Sequence, residues 1–222
     1  MRYLASIAFA AAIAQTAVAD SAPAPDPWTP SAGDQISFEV LRKGKPFGDH
    51  VLSFDKAEDG TLQVTTDVDL KAGLGPITVF RYSLDSTETW QDGKLVSLSG
   101  QTNDDGDKTR VTAELDGDAL SVDGTAYSGD APTDIIPSSH WNIKQMYGDV
   151  MLSTEDGELL DITVEQIGRE NVSIGDQSIP ADHYRLTSDI TVDLWYDDAG
   201  RWVKLAFEAR GQTIEYRLRQ LY

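Results

Sequence analysis

Ser138, Ser139 and His140 stand in a row, a hydroxyl beside an imidazole, the residue types that acyl-transfer and hydrolytic chemistry pair as nucleophile and base. Chain neighbours on a helix or turn do not face one another, so a working pair needs partners from elsewhere. No Gly-x-Ser-x-Gly elbow is present to present the serine. The pattern favours a serine that caps a helix, with His140 at the sheet edge. A hydrolase using the Ser138–His140 region remains as an alternative, to be decided by whether nucleophile, base and orienting group come together.

The other chemistry-bearing residues are more scattered. His50, His140 and His183 are far apart and form no His-x-x-x-His pair, so no metal site is expected. The strand parity makes His50 a hydrogen-bonded core residue and puts His183 on a polar face. Asn103, Asp105 and Asp107 are spaced like early calcium-loop ligands, but Gly106 falls at the wrong place and no Glu closes the loop. They read as an acidic hairpin turn. Asp67/Asp69 and Asp197/Asp198 resemble glycosidase acid pairs in type. They sit on wet strand faces or turns, with nothing in the sequence to raise one carboxyl above the other. Arg81, Arg185 and Arg217 fall on polar faces among acids, as cross-strand ion pairs would. Arg201 shares the parity of Val203, Leu205 and Phe207, which makes it a candidate mouth-lining cation. No catalytic residue, cofactor or metal is assigned.

The elements that would position these residues are strands. Gln35 onward alternates with period two, most cleanly at Leu62, Val64, Thr66, Val68 and Leu70 against Gln63, Thr65, Asp67, Asp69 and Lys71. Lys43-Gly44, Asp59-Gly60, Asp92-Gly93 and Asp116-Gly117 mark hairpin turns. The exception is 135–147. There Pro137, with Ser138 or Ser139 as N-cap, precedes Trp141, Ile143, Met146 and Tyr147, a short amphipathic helix near 138–147.

The expected fold is all-β, an antiparallel up-and-down meander of about 10–12 strands, too many for a flat sheet and so curled into a barrel or half-barrel. Such a barrel is wider than one side-chain layer fills. Its middle must hold the helix face, a ligand, or both. The expected ligand-lining residues are His140, Trp141, Met146 and Tyr147 of the helical stretch, with inward-facing Tyr82 and Tyr196, and Arg201.

Arg2, the apolar run Leu4–Ala14 and Ala17-Val18-Ala19 form an export signal at 1–19, cleaved after Ala19. A Pro-rich leader follows at 20–34, extended and without a core of its own, and then a single domain at 35–222. The 222 residues contain no cysteine, which rules out a lipobox, disulfides and thiolate metal sites. With 37 Asp+Glu against 18 Lys+Arg the formal charge is −19, which disfavours nucleic acid and anionic lipid surfaces. The compartment expected is periplasmic or secreted.

At Gly73-Leu74-Gly75-Pro76-Ile77-Thr78-Val79-Phe80-Arg81-Tyr82, at Pro137-Ser138-Ser139-His140-Trp141-Asn142, and at Leu194-Trp195-Tyr196-Asp197 with Gly200-Arg201-Trp202-Val203, the chain resembles a family of exported proteobacterial proteins of unknown function. The likeness spans roughly Gln35 to Leu218 and implies a compartment and a domain type, not a reaction. In layout alone the chain is similar to the half-barrels of periplasmic lipoprotein-localisation factors, which wrap a curved sheet over helices and hold acyl chains.

The leading expectation is therefore a non-catalytic periplasmic protein that binds a lipid or other apolar or amphipathic molecule or serves envelope maintenance, without stable membrane insertion. The alternative is a small outer-membrane barrel with apolar faces toward lipid, suggested by the alternating ending Ile214, Tyr216, Leu218, Gln220, Tyr222.

Overall fold

Val64, Thr66, Val68 and Leu70 are buried while Gln63, Thr65 and Asp67 are exposed, as alternation in a half-buried strand requires. A computed structural model describes residues 27–74 and 77–219, and in it this pattern repeats along the chain. The residues read as an export signal, most of those read as a leader, Gly75-Pro76 and the ending 220–222 lie outside the described residues.

The strands run in chain order as β1 (Gln35–Arg42), β2 (Lys45–Lys56), β3 (Leu62–Leu74), β4 (Ile77–Gln91), β5 (Lys94–Asp104), β6 (Asp107–Asp116), β7 (Ala119–Gly124) and β8 (Ser128–Ala131). Three short strands follow, β9 (Ile136–Pro137), β10 (Val150–Leu152) and β11 (Leu159–Asp161). The chain ends with β12 (Thr163–Ile174), β13 (Gln177–Thr187), β14 (Thr191–Asp197), β15 (Trp202–Ala209) and β16 (Gln212–Leu218). Thirteen of them make one antiparallel sheet in the order β12-β13-β14-β15-β16-β1-β2-β3-β4-β5-β6-β7-β8, and β11-β10-β9 make a second, with β9 and β10 parallel.

The all-β meander is as expected, with more strands than the 10–12 read from the sequence. The extra ones are short, and a strand of two to four residues carries no readable period. Two-residue turns join most of the long strands. Asp92-Gly93 and Arg210-Gly211 both have positive φ at each residue, the hairpin geometry whose twist matches the flanking strands.

Flat, thirteen strands would span roughly 55–60 Å. Yet the segment 132–162, between β8 and β12, touches strands from both halves of the sheet. Trp141 packs edge-on against Phe54 of β2 and Trp90 of β4. Thr109 of β6 donates to the Glu155 carbonyl, and Gln145 donates to Tyr196 of β14. Only a sheet curled around this segment allows that. The curl does not close by hydrogen bonding, because β8 and β12 remain the two edges. The result is a half-barrel with 132–162 inside.

Two glycines let that inner segment lie flat against the wall. A Cβ on Gly100 of β5 would stand 2.2 Å from the Thr154 carbonyl oxygen, and one on Gly124 of β7 would stand 2.2 Å from that of Asp156. Both distances are far inside van der Waals contact, so only glycine permits this approach.

Two expectations are corrected. The helix is a single 3-10 turn, Ile143–Tyr147, with Asn142 as its cap. Ser138 sits instead in a turn after β9, its amide bonded to the Leu152 carbonyl and its hydroxyl accepting from the Thr154 amide, and His140 at φ 65° breaks any helix through it. At three residues per turn Ile143 and Met146 share the buried edge and Tyr147 swings out to 45% exposure. The apolar strand faces turn inward around one continuous core and the outer face is polar, which removes the premise of a barrel with apolar faces toward lipid. The described end of the leader also engages this core, with Trp28 edge-on to Phe54 at 5.1 Å.

Candidate functional site

The interior is densely filled on the β5–β8 side by the inner segment. On the other side, between β2–β4 and β13–β16, it opens into a cavity of about 500 Å³. Leu70, Leu186, Leu205 and Ile214 supply its apolar walls. Each comes from an alternating strand, so the walls follow from period two alone.

The polar part is less ordinary. His50 of β2 is 6% exposed and sits among the rings of Phe38, Trp202 and Tyr216, with centroids 5.4 Å from the latter two. Neither of its ring nitrogens has a hydrogen-bond partner among the described residues. It is buried as expected, but not hydrogen-bonded as expected. Burial, with His140 nearby, lowers its pKa from the ordinary 6.5 to about 3, so the ring is neutral.

His140 faces the same cavity from the inner segment, its ring 5.6 Å from that of Trp202. Three hydrogen bonds hold it. Its Nδ1 lies 3.0 Å from Gln145 Oε1, Gln145 Nε2 donates to the Tyr196 hydroxyl at 2.7 Å, and that hydroxyl donates to the His140 carbonyl at 2.8 Å. Because the Gln145 amide nitrogen is donating, its oxygen accepts, and Nδ1 carries the imidazole proton. Nε2 is thereby left as an acceptor. Burial takes the pKa of His140 down to about 4, against the opposing effect of Gln145.

Across the cavity the Tyr82 hydroxyl donates to Glu155 Oε1 at 2.9 Å. Water reaches Glu155 through the cavity while protein surrounds it on the other sides. That desolvation raises its carboxyl above the ordinary carboxylate range, partly offset by Tyr82 and reinforced by Asp156 and Asp104. At the rim Arg42 lies over Phe47, and Arg210 lies over Phe80 and 4.0 Å from Asp104.

Of the residues expected at a ligand site, Tyr82 and His140 line this cavity. Trp141, Met146, Tyr147, Tyr196 and Arg201 do not. Trp141 is buried, its indole N–H donating to Glu88, a fully buried carboxylate of β4 that also accepts from Trp90. Burial raises the Glu88 carboxyl against the pull of these bonds. Met146 packs in the core, the Tyr147 hydroxyl meets that of Tyr184 at 3.3 Å, and Tyr196 is fully buried behind His140.

Arg201 was misplaced by parity. Opposite Trp195 and Tyr196 stand Lys204 and Trp202, so Val203 is an extra residue, a bulge. The bulge turns Trp202 inward to the cavity floor and leaves Arg201 bonded through Nε to Asp197 Oδ2 at 2.7 Å in the β14–β15 turn. Trp202, Tyr216 and Glu155 are the cavity residues that sequence reasoning did not single out. Tyr216 alone had a signal, its place in the alternation of β16.

The remaining candidates are not brought together. The Ser138 hydroxyl is engaged by Thr154 and that of Ser139 by Glu88, and among the described residues neither is bonded to His140, so no nucleophile–base pair is assembled at this site. His183 lies outside the sheet, stacked on Trp195 at 4.2 Å and 3.0 Å from Asp193. Asn103 Oδ1 accepts from the Gly106 amide, closing the acidic hairpin. Arg81 pairs with Asp69 and Arg185 with Asp193 across strands, whereas Arg217 meets Glu215 along its own strand. Asp67 stands opposite Asp85, and partial burial plus that neighbour raise its carboxyl, which the sequence did not announce.

These features define a class: an open half-barrel of antiparallel strands, stoppered on one side and hollow on the other. Over residues 38–219 the chain matches the family described as DUF6134, a domain of unknown function, and it belongs to that family. Among solved structures it is similar to the crystal structure of a beta-barrel-like protein of domain of unknown function DUF1849 from Brucella abortus. That likeness has 9% identity and a TM-score of 0.55 over 83% of this chain and 94% of that one, which concerns the fold alone. Comparison with the curated proteins gives no match.

Proposed function

We propose that this protein is a non-catalytic holder of an apolar or amphipathic molecule, working in the periplasm or outside the cell in maintenance of the envelope. The observation that carries the reading is the cavity. Its volume is in the range of small-molecule sites, its walls are leucine and isoleucine, and a buried imidazole with no protein partner faces into it. The export signal read at 1–19 supports the compartment, and the acidic outer face supports a protein that stays off anionic surfaces. Tyr82 and His140 contact the ligand in this reading, with Trp202 and Tyr216 as its floor. Tyr196 acts through His140 as a positioning residue.

Native mass spectrometry of the protein purified from its own host tests the proposal. Ala209, half-buried where the cavity opens, is the place to fill it. The wild type is expected to carry an apolar adduct, or to take up a fluorescent apolar probe, and Ala209→Trp to do neither. A wild type that is always bare and matches Ala209→Trp in probe binding overturns the reading.

A further inference from the structure

The polar groups inside the cavity share a property that bears on what the ligand carries. Glu155 has Tyr82 as its hydrogen-bond donor and no ion pair among the described residues, and its carboxylate stays open to the cavity and to solvent. His140, locked by Gln145, presents Nε2 as an acceptor. His50, neutral and unpartnered, offers one acceptor as well as one donor. Trp202 and Tyr216 add to the lining aromatic rings, a group type that attracts cations. The basic residues at the rim are engaged elsewhere, Arg210 beside Asp104 and over Phe80, Arg42 over Phe47. Asp156, Glu158 and Asp189 complete a lining in which acids outnumber bases.

From this charge complementarity we infer that the cavity selects a cationic amphiphile, its protonated amine bonded to the Glu155 carboxylate and its apolar body lying along Leu70, Leu205 and Ile214. The inference rests on the ligand-holding reading above and specifies its ligand class. An ammonium brings N–H donors to a set of acceptors and supplies the counter-charge that Glu155 lacks. A carboxylate in the same place faces Glu155, Asp104 and Asp156 at like charge.

Three probes of equal chain length separate the outcomes: dodecylamine, dodecanol and dodecanoate, each titrated calorimetrically into the full chain at neutral pH below micelle-forming concentrations. Dodecylamine is expected to bind at least about tenfold more tightly than dodecanol, with dodecanoate weakest. In Glu155→Gln the ratio of amine to alcohol affinity is expected to collapse to about one. Because the wild-type ratio is informative by itself, a variant that fails to fold does not spare the inference. Equal binding of amine and alcohol, or tightest binding of dodecanoate, overturns the cationic selection and leaves the holder reading standing. Amine binding that persists in Ala209→Trp is adsorption to the acidic surface, and also overturns it. If none of the three binds the wild type, the holder reading falls as well.

Discussion

The Tyr196 hydroxyl donates to the backbone carbonyl of His140 at 2.8 Å while accepting from Gln145, which in turn fixes the His140 ring. Tyr196 is on β14 and His140 on the inner segment, so the bond ties wall to stopper. It also holds His140 at φ 65°, a backbone region that costs a non-glycine residue energy and persists only where the surroundings enforce it.

Removing that hydroxyl should therefore cost more than one hydrogen bond. Tyr196→Phe leaves the Gln145 amide and the His140 carbonyl without their partner, and a loss of about 2–3 kcal/mol is expected in urea denaturation. Nitrogen NMR of the imidazoles supplies the second readout: His140 should be protonated at Nδ1 in the wild type and lose that preference in the variant. A wild-type His140 protonated at Nε2 refutes the arrangement.

His50 makes the opposite prediction. A buried imidazole without partners carries a desolvation penalty, so His50→Phe should stabilise the fold by about 1 kcal/mol at neutral pH. The gain should grow in acid. The folded pKa values of His50 and His140, about 3 and about 4, lie below the unfolded value near 6.5, so between these limits the unfolded chain binds protons that the native one refuses. Stability is then fully present above about pH 6.5 and falls by several kcal/mol toward pH 4, each histidine contributing about 1.4 kcal/mol for every pH step over which only the unfolded chain is protonated. Glu88 and Glu155, whose carboxyls are raised, act the other way and return part of that loss as they protonate in the native state. Urea midpoints at pH 7 and pH 5 should show a smaller acid loss in His50→Phe than in the wild type; equal losses would count against a neutral buried His50.

Gly124 separates close approach from backbone freedom, because its φ is not in the positive region and it is the inner-segment backbone, the Asp156 carbonyl and the Gly157 Cα, that opposes a side chain. Gly124→Ala should cost about 1–3 kcal/mol through overpacking. Gly175→Ala, in an open turn at φ 56° with nothing near, should cost about 1 kcal/mol or less from conformation alone. Thermal melts of both variants make the comparison, and equal shifts would show that the contact with the inner segment does not matter.

Asp197 tests whether the β14–β15 turn belongs to the ligand site. Its Oδ1 accepts from the Ala199 and Arg201 amides and its Oδ2 from Arg201 Nε. Asp197→Ala should lower stability by about 2 kcal/mol while ligand or probe affinity, measured on the folded fraction, stays at the wild-type value. A change in affinity without a change in stability would return Arg201 to the site.

The strands were legible wherever period two ran unbroken. β3 is visible in Leu62 to Leu70, and so is the inward face of Tyr216. What stayed hidden depends on events that leave no local trace. The bulge at Val203 exchanged the roles of Arg201 and Trp202, and nothing in Gly-Arg-Trp-Val announces an extra residue. Ser138 before His140 looks like a helix cap, but its partners, Leu152 and Thr154, lie well along the chain, and a long-range bond overrides a local preference. Glu155 is one acid among many in the sequence. Only the approach of its loop to Gly100 and Gly124 puts it in the cavity.

In a closed barrel the number of strands and their stagger set the girth, and side chains must fit the space given. Here the free margins of β8 and β12 never meet, so the spacing of the walls is dictated by what stands between them. The hollow is thus adjustable: a methyl group added or removed on the stopper changes the bore without breaking a single rung of the sheet.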